Sequence, residues 1–256
     1  MTAAGRLVVV EDAAALAAEA ARRFLSLGSD AIRVRGRFTV ALSGGHTPRA
    51  AYERIAATWW QAPSGPLDWS RIHLFWGDER FVPPDSAESN YRMVREALLD
   101  HVPFTAANIH RVETDRASDA ADAAARYEAT LRQVFGLKPG AWPRLDLVFL
   151  GMGADGHTAS LFPGTGAPDV ADRLVTAVRV ERLGSWRVSL TLPVLNYAAD
   201  VIFLVTGADK AVPLRSVVEG PPASPPYPAG RLRPSEGSLV WLADRDAAPW
   251  APEDGR

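Results

Sequence analysis

The chain has 256 residues, 47% of them hydrophobic, with 28 Lys and Arg against 30 Asp and Glu and no Cys. A net charge of -2 leaves no basic footprint for nucleic acid. The missing Cys exclude a disulfide framework and thiol catalysis and suit a reducing cytoplasm, and no uninterrupted apolar window of about 18 residues marks a membrane span.

The opening "MTAAGRLVVVED" lacks a charged region followed by a long apolar stretch, so no signal peptide is expected. "RLVVV" (6–10) reads as a strand and 12–34 as an Ala-rich helix with Leu16, Phe24 and Leu25 on one side. Strand "RFTVAL" (37–42) is followed by a helix over 48–58, and strand "RIHLFW" (71–76) by helices over 89–100 and 116–135. The remaining strands are "LDLVFLG" (145–151), "LVTAVRV" (174–180), "RVSLTLP" (187–193), "DVIFLVTG" (200–207) and "SLVWLA" (238–243), with a helix over 209–219. Several strands are apolar at nearly every position, the pattern of burial on both faces. Alternation of strand and helix predicts an α/β protein with a mainly parallel, Rossmann-like sheet flanked by helices on both faces. No linker divides the chain, so one domain over 1–256 is expected. "GPPASPPYPAG" (220–230) reads as a surface connection, and the tail from about 247 as frayed. No long heptad or apolar stripe argues for an oligomer, so a monomer is expected.

Four strand ends carry the chemistry. In "ALSGGHTPRAAYERIA" (41–56) the chain leaves a buried strand through Ser43, Gly44 and Gly45 and enters a helix. Thr47 suits the N-cap and Pro48 the first helical position. Glycines permit positive φ and close approach of a ligand, and free N–H groups at the positive end of a helix suit phosphate. The plainer alternative is a simple strand-to-helix turn, since neither nucleotide-binding glycine fingerprint is present. After strand 71–76, Asp78, Glu79 and Arg80 fall where α/β sheets deliver ligand-binding groups. On their own they read rather as a solvated charged turn, with Ser89 capping the next helix.

"LDLVFLGMGADGHTASLFPG" (145–164) ends an apolar strand in Gly151, Gly153 and Gly156, with Asp155 beside His157. Imidazole as a side chain ordinarily changes charge near neutral pH and can act as general base. His46, His73, His101 and His110 are scattered, so no zinc spacing exists, and no G-x-S-x-G elbow supports a serine hydrolase. In "VIFLVTGADKAVPLRSVVEG" (201–220) Lys210 falls in the first helical turn, which cations usually avoid. A bound phosphate would offset that conflict; otherwise Lys210 reaches solvent.

Taken together, "SGGHTP", "GDERFVPPDSAESNY", "DLVFLGMGADGHTASLFPG", "RVSLTLPVLN", "VTGADKA" and "PAGRLRPSEGSLVWLADRDAA" resemble the 6-phosphogluconolactonase family, in order and over most of the chain. The resemblance implies the α/β fold of the sugar-phosphate isomerases and deaminases. It implies hydrolysis of 6-phosphogluconolactone to 6-phosphogluconate, the second step of the oxidative pentose phosphate pathway, in the cytoplasm and without metal or other cofactor. It makes His157 the base that activates water, with Asp155 orienting the ring or merely shaping the loop. Ser43, Gly44, Gly45 and Thr47 would hold the substrate phosphate with Arg80, Arg187 and Lys210, although Arg187 could instead face solvent at a strand start. Asp78, Glu79, Asn90, Gly153 and Gly156 complete the implied substrate site. His46 is assigned nothing. Two alternatives stay open: an amino-sugar-phosphate deaminase or aldose-ketose isomerase in which Asp78 or Glu79 moves a proton at carbon, and a catalytically silent sugar-phosphate sensor. The deaminases carry a segment like "DGHIAFNEP", with Glu before the final Pro, where this chain has Phe162 before Pro163.

Overall fold

A computed structural model describes residues 5–221 and 227–252. Strand β1 (Arg6–Val10) runs into helix α1 (Ala13–Arg35). The carboxylate of Asp12 accepts the Ala15 N–H at 2.8 Å to cap that helix, and Gly36 ends it at φ 74°. Strand β2 (Phe38–Leu42) and helix α2 (His46–Ala56) follow, then β3 (Ile72–Trp76), the short β4 (Asp78–Arg80) and α3 (Asn90–Ala97). A two-residue strand β5 (Ile109–His110) precedes α4 (Ala120–Phe135). The second half contains β6 (Leu147–Leu150), β7 (Val175–Val180), β8 (Ser185–Leu190), α5 (Leu192–Asn196), β9 (Asp200–Val205), α6 (Ala211–Glu219) and β10 (Ser238–Asp244).

Seven strands form one wholly parallel sheet in the order β1-β10-β9-β6-β2-β3-β5. Its five inner strands are buried almost throughout, so the rings of Phe38, Phe75, Phe149, Phe203 and Trp241, with Phe24 of α1, fill a continuous core. From β2 the chain moves outward through β3 to β5, then returns to the other side of β2 with β6 and continues to β9 and β10. The order therefore reverses between β2 and β6. The loops leaving those strands diverge there and open a crevice at their C-terminal ends.

Four expectations change. The predicted strands 174–180 and 187–193 do not join the parallel sheet. As β7 and β8 they pair antiparallel with each other, and β4 pairs antiparallel with β8, in a separate three-stranded sheet. Their apolar runs mark one covered face rather than a place in the large sheet. Helix α2 begins at His46 with Gly45 as its N-cap, so Thr47 lies inside the first turn and does not cap it. Over 247–252 the tail is packed, not frayed, with Ala247 and Ala248 fully buried; residues 253–256 lie outside the described residues. The Pro-rich segment is not a surface connection throughout. Residues 222–226 lie outside the described residues, but Pro228, Ala229 and Gly230 are buried in a helical turn. No helix among the described residues is long and apolar enough to cross a membrane.

Candidate functional site

A cavity of about 370 Å³ occupies the crevice. The loop after β2, the segment at β4, the loop after β6, strand β8 and the loop after β9 all reach it.

The turn after β2 supplies Ser43, Gly44, Gly45, His46 and Thr47 to its wall. A buried tyrosine fixes the strand end: Ser43 N–H donates to Tyr52 Oη, which donates back to the Ser43 carbonyl, both at 2.9 Å. Burial of that phenol pushes its pKa upward. Ser43 Oγ is buried without a hydrogen-bond partner. The two glycines serve different ends. Gly45 sits at φ 111°, which L side chains rarely adopt. Gly44 does not have positive φ; a Cβ there would lie 1.8 Å from Asn90 Oδ1, so its role is to let Asn90 pack against the turn. Thr47 Oγ1 meets Thr206 Oγ1 at 2.6 Å and ties this turn to the loop after β9. That loop passes through Gly207 at φ 95° and brings Lys210 to the cavity, with its ammonium beside the Asp209 carboxylate. Lys210 closes a 3-10 turn at the head of α6, rather than lying inside that helix.

The charged segment after β3 divides. A second buried tyrosine holds it: Trp76 N–H donates to Tyr127 Oη at 2.7 Å, and the phenol donates to the Trp76 carbonyl at 2.9 Å. Asp78 lines the cavity, with Oδ2 accepting from Ser160 Oγ at 2.6 Å and Oδ1 from Asn90 Nδ2 at 3.3 Å. Glu79 points the other way, which corrects its place among the substrate contacts. It is 2% exposed. Its Oε1 accepts the N–H groups of Arg80 and Asn90, at 2.8 and 2.7 Å. Its Oε2 accepts Tyr91 N–H at 2.7 Å and Ser89 Oγ–H at 3.2 Å. Burial pushes this carboxyl up to about 7, against the pull of those donors. Ser89 also caps α3, accepting Arg92 N–H at 3.2 Å.

Arg80 and Arg187 face each other across the β4–β8 pairing and both line the cavity. Arg187 lies within β8 and is buried, not turned to solvent at a strand start. Burial first, and then the Arg80 charge, lower its pKa from the usual range. Arg80 Nη1 donates to the Glu88 carbonyl at 2.5 Å, while its buried Nε has no partner. Like charges opposite one another in a ladder are destabilising, and an anion held between them would offset that repulsion.

The loop after β6 presents His157. Its Nδ1 lies 2.5 Å from Asp155 Oδ1, and its backbone N–H donates to the same oxygen at 3.2 Å. With Nδ1 as donor, Nε2 keeps its lone pair. Burial works to raise the Asp155 carboxyl, but the hydrogen bonds from His157 and the Arg182 charge hold it below the usual carboxylate range. Phe162 stacks on the imidazole at 4.1 Å between centroids. Gly153 is required by proximity, since a Cβ there would lie 2.1 Å from His157 Nδ1. Gly156 does not line the cavity: its φ is 71°, a Cβ would lie 2.3 Å from Tyr227, and its carbonyl accepts Ala229 N–H at 3.1 Å. The buried end of the Pro-rich segment thus supports the His157 loop from behind. Ala159 takes the left-handed conformation at φ 46°, a strained placement beside the cavity held by the Thr158–Leu161 bridge.

His46, Ser160, Phe162 and Thr206 line the cavity but were not among the site residues expected from sequence. Small polar residues at strand ends carry little signal on their own. Among the described residues no group of three or more His, Asp or Glu could hold a metal ion.

Fold and site define an α/β protein whose crevice gathers a glycine turn, three cationic side chains and a His–Asp pair. The chain belongs to the glucosamine-6-phosphate isomerases/6-phosphogluconolactonase family, whose model matches residues 11–241. It is 45% identical to a 6-phosphogluconolactonase of Nostoc over 93% of this chain and 95% of that relative. The structure of 6-phosphogluconolactonase from Trypanosoma cruzi superposes with a TM-score of 0.83 at 28% identity, covering 98% of each chain. A monomeric glucosamine-6-phosphate deaminase superposes with a TM-score of 0.77 at 19% identity, over 96% of this chain and all of that one, and shares the fold.

Proposed function

We propose that this chain is a 6-phosphogluconolactonase. The observation that carries the reading is the meeting, in one cavity, of His157, paired with Asp155, with the glycine turn and the cations Arg80, Arg187 and Lys210, in a chain of this family. His157 Nε2 takes a proton from a water molecule as that water attacks C1 of the ring. The tetrahedral adduct then collapses, the ring oxygen leaves, and the imidazolium returns the proton to it. The acid product ionises, so each turnover releases one proton. A lactone is an activated ester, and holding water and substrate in place supplies much of the remaining acceleration. The substrate phosphate sits on the Ser43–Thr47 turn at the head of α2, with Lys210, Arg80 and Arg187 as cationic partners.

Phe162 distinguishes this reading from its relatives. It packs against His157 at the position where the deaminase-like segment carries a carboxylate. Phenylalanine can neither orient the imidazole by hydrogen bonding nor move a proton. The carbon-acid alternative keeps Asp78, whose carboxylate lines the cavity, but Glu79 is withdrawn into the protein. Cytoplasmic location and a monomeric state belong to the same proposal.

The test follows acid release on adding fresh 6-phosphogluconolactone, against its spontaneous hydrolysis. The lactonase accelerates it strongly, and yields neither ammonia from glucosamine 6-phosphate nor exchange of its C2 hydrogen with D₂O. Ammonia or exchange at a comparable rate would favour the deaminase or isomerase. Binding of sugar phosphates with no turnover of any kind would leave the sensor.

A further inference from the structure

Arg182 belongs to none of the motifs, yet it closes a ring of four side chains. His157 donates from Nδ1 to Asp155 Oδ1, and the other carboxylate oxygen, Oδ2, pairs with Arg182 Nη2. The same guanidinium lies over the Phe162 ring, 5.2 Å from its centroid. Phe162 completes the circuit by stacking on His157, with 25° between the rings. The four members come from separate places: Asp155 and His157 from the loop after β6, Phe162 from beyond the Thr158–Leu161 bridge, and Arg182 from the helical turn Glu181–Leu183 between β7 and β8.

Asp155 on its own is a poor anchor. Its side chain is 29% exposed on a glycine-flanked loop, so rotation about its last torsion would exchange the oxygens that face His157 and water. A planar guanidinium on the second oxygen removes that freedom, and its contact with the aromatic face fixes the plane against which the imidazole stacks. Arg182 is 56% exposed, so the ion pair contributes little to global stability and its effect is one of orientation. Arg80 and Arg187 border the same space but make no ion pair with Asp155 among the described residues.

We infer that Arg182 is a positioning residue that locks the Asp155–His157 pair in its hydrogen-bonded geometry, so that the turn between β7 and β8 takes part in the hydrolytic device. The catalytic consequence rests on the lactonase reading, whereas the geometric one can be read without substrate. In proton NMR of the ligand-free full chain, the His157 Nδ1 proton should give a strongly downfield resonance, absent from Asp155→Asn. Arg182→Ala should broaden or abolish it, and lower kcat about 3- to 30-fold with KM nearly unchanged, the range expected when a base is loosened but kept. Arg182→Lys should recover part of both, and circular dichroism should show all variants folded. A wild-type chain without the resonance overturns the inference, as does Arg182→Ala with the resonance and kcat of wild type. If the chain turned over no lactone, the functional reading would fall and the resonance alone would decide the role of Arg182.

Discussion

At the scale of single residues, the imidazole and the cations make separable predictions. His157→Asn preserves the shape of the ring's first polar position but removes the base, so kcat should fall roughly 10²- to 10⁴-fold while KM changes little. Steady-state hydrolysis corrected for the spontaneous rate measures this, and near-normal turnover would exclude His157 as the base. Lys210→Ala and Arg80→Ala each delete a charge-assisted contact worth about 1.5–3 kcal/mol, so KM for the phosphorylated lactone should rise about 10- to 150-fold. Unphosphorylated gluconolactone is the control. Equal impairment on both substrates would show that these side chains do not read the phosphate. Arg80 and Arg187 were legible as cations, but not as partners, because their juxtaposition depends on β4 pairing with β8. Glu79 is the converse case. Its neighbours in sequence suggest a substrate contact, yet its burial was decided by the way α3 docks.

Glu79 carries the prediction at the scale of elements. Its two oxygens take four donors and join β4 to the first turn of α3. Glutamine offers one oxygen and turns an NH₂ group toward two of those donors, leaving them unpaired. Glu79→Gln should therefore destabilise by about 2–4 kcal/mol, a Tm about 5–10 °C lower. Differential scanning calorimetry measures it; an unchanged Tm would mean that the cap is dispensable. The same element explains Gly44, whose missing side chain leaves room for Asn90 at the head of α3. Element types followed from local pattern, because strands buried on both faces and capped helices announce themselves in composition. The ends of α2 and α4 did not. Each start depends on which residue takes the capping conformation: Gly45 at φ 111°, and Asp119, whose carboxylate accepts Asp122 N–H at 2.9 Å.

For the whole molecule, the edge of the large sheet provides a pH dependence. His73 Nδ1 and His110 Nε2 lie 3.1 Å apart on neighbouring strands, and the rings stack. Burial, with His73 adjacent, pushes His110 down to about 4. Burial, with Arg37 near, also lowers His73. The unfolded chain gains protons near pH 6.5, which the folded chain refuses until well below that. Stability from this pair is thus fully present above about pH 6.5 and is lost as pH falls toward about 4. Solvent reaches both rings, so the loss is about 1–2 kcal/mol. Urea midpoints measured across this range should fall with pH, and His110→Gln should flatten the slope. A slope unchanged in that variant would place the dependence elsewhere.

What the sequence determined by itself is local. Apolar runs of strand length, the capping and glycine residues, and the His157 loop with its flanking Asp155 are all written within a few neighbours of one another. The α/β class could be read from them, and they supplied the candidate base on which the proposed mechanism rests. What only the tertiary structure decided is which of these local features meet. Strand order places the turn after β2 beside the loop after β6, although more than a hundred residues separate them in the chain. Withdrawal of Glu79, the facing of Arg80 and Arg187, and the closure of Arg182 onto Asp155 all depend on strand pairing across long sequence separations. Such contacts leave no periodic trace in a chain, because each partner's local pattern is satisfied equally well without the other.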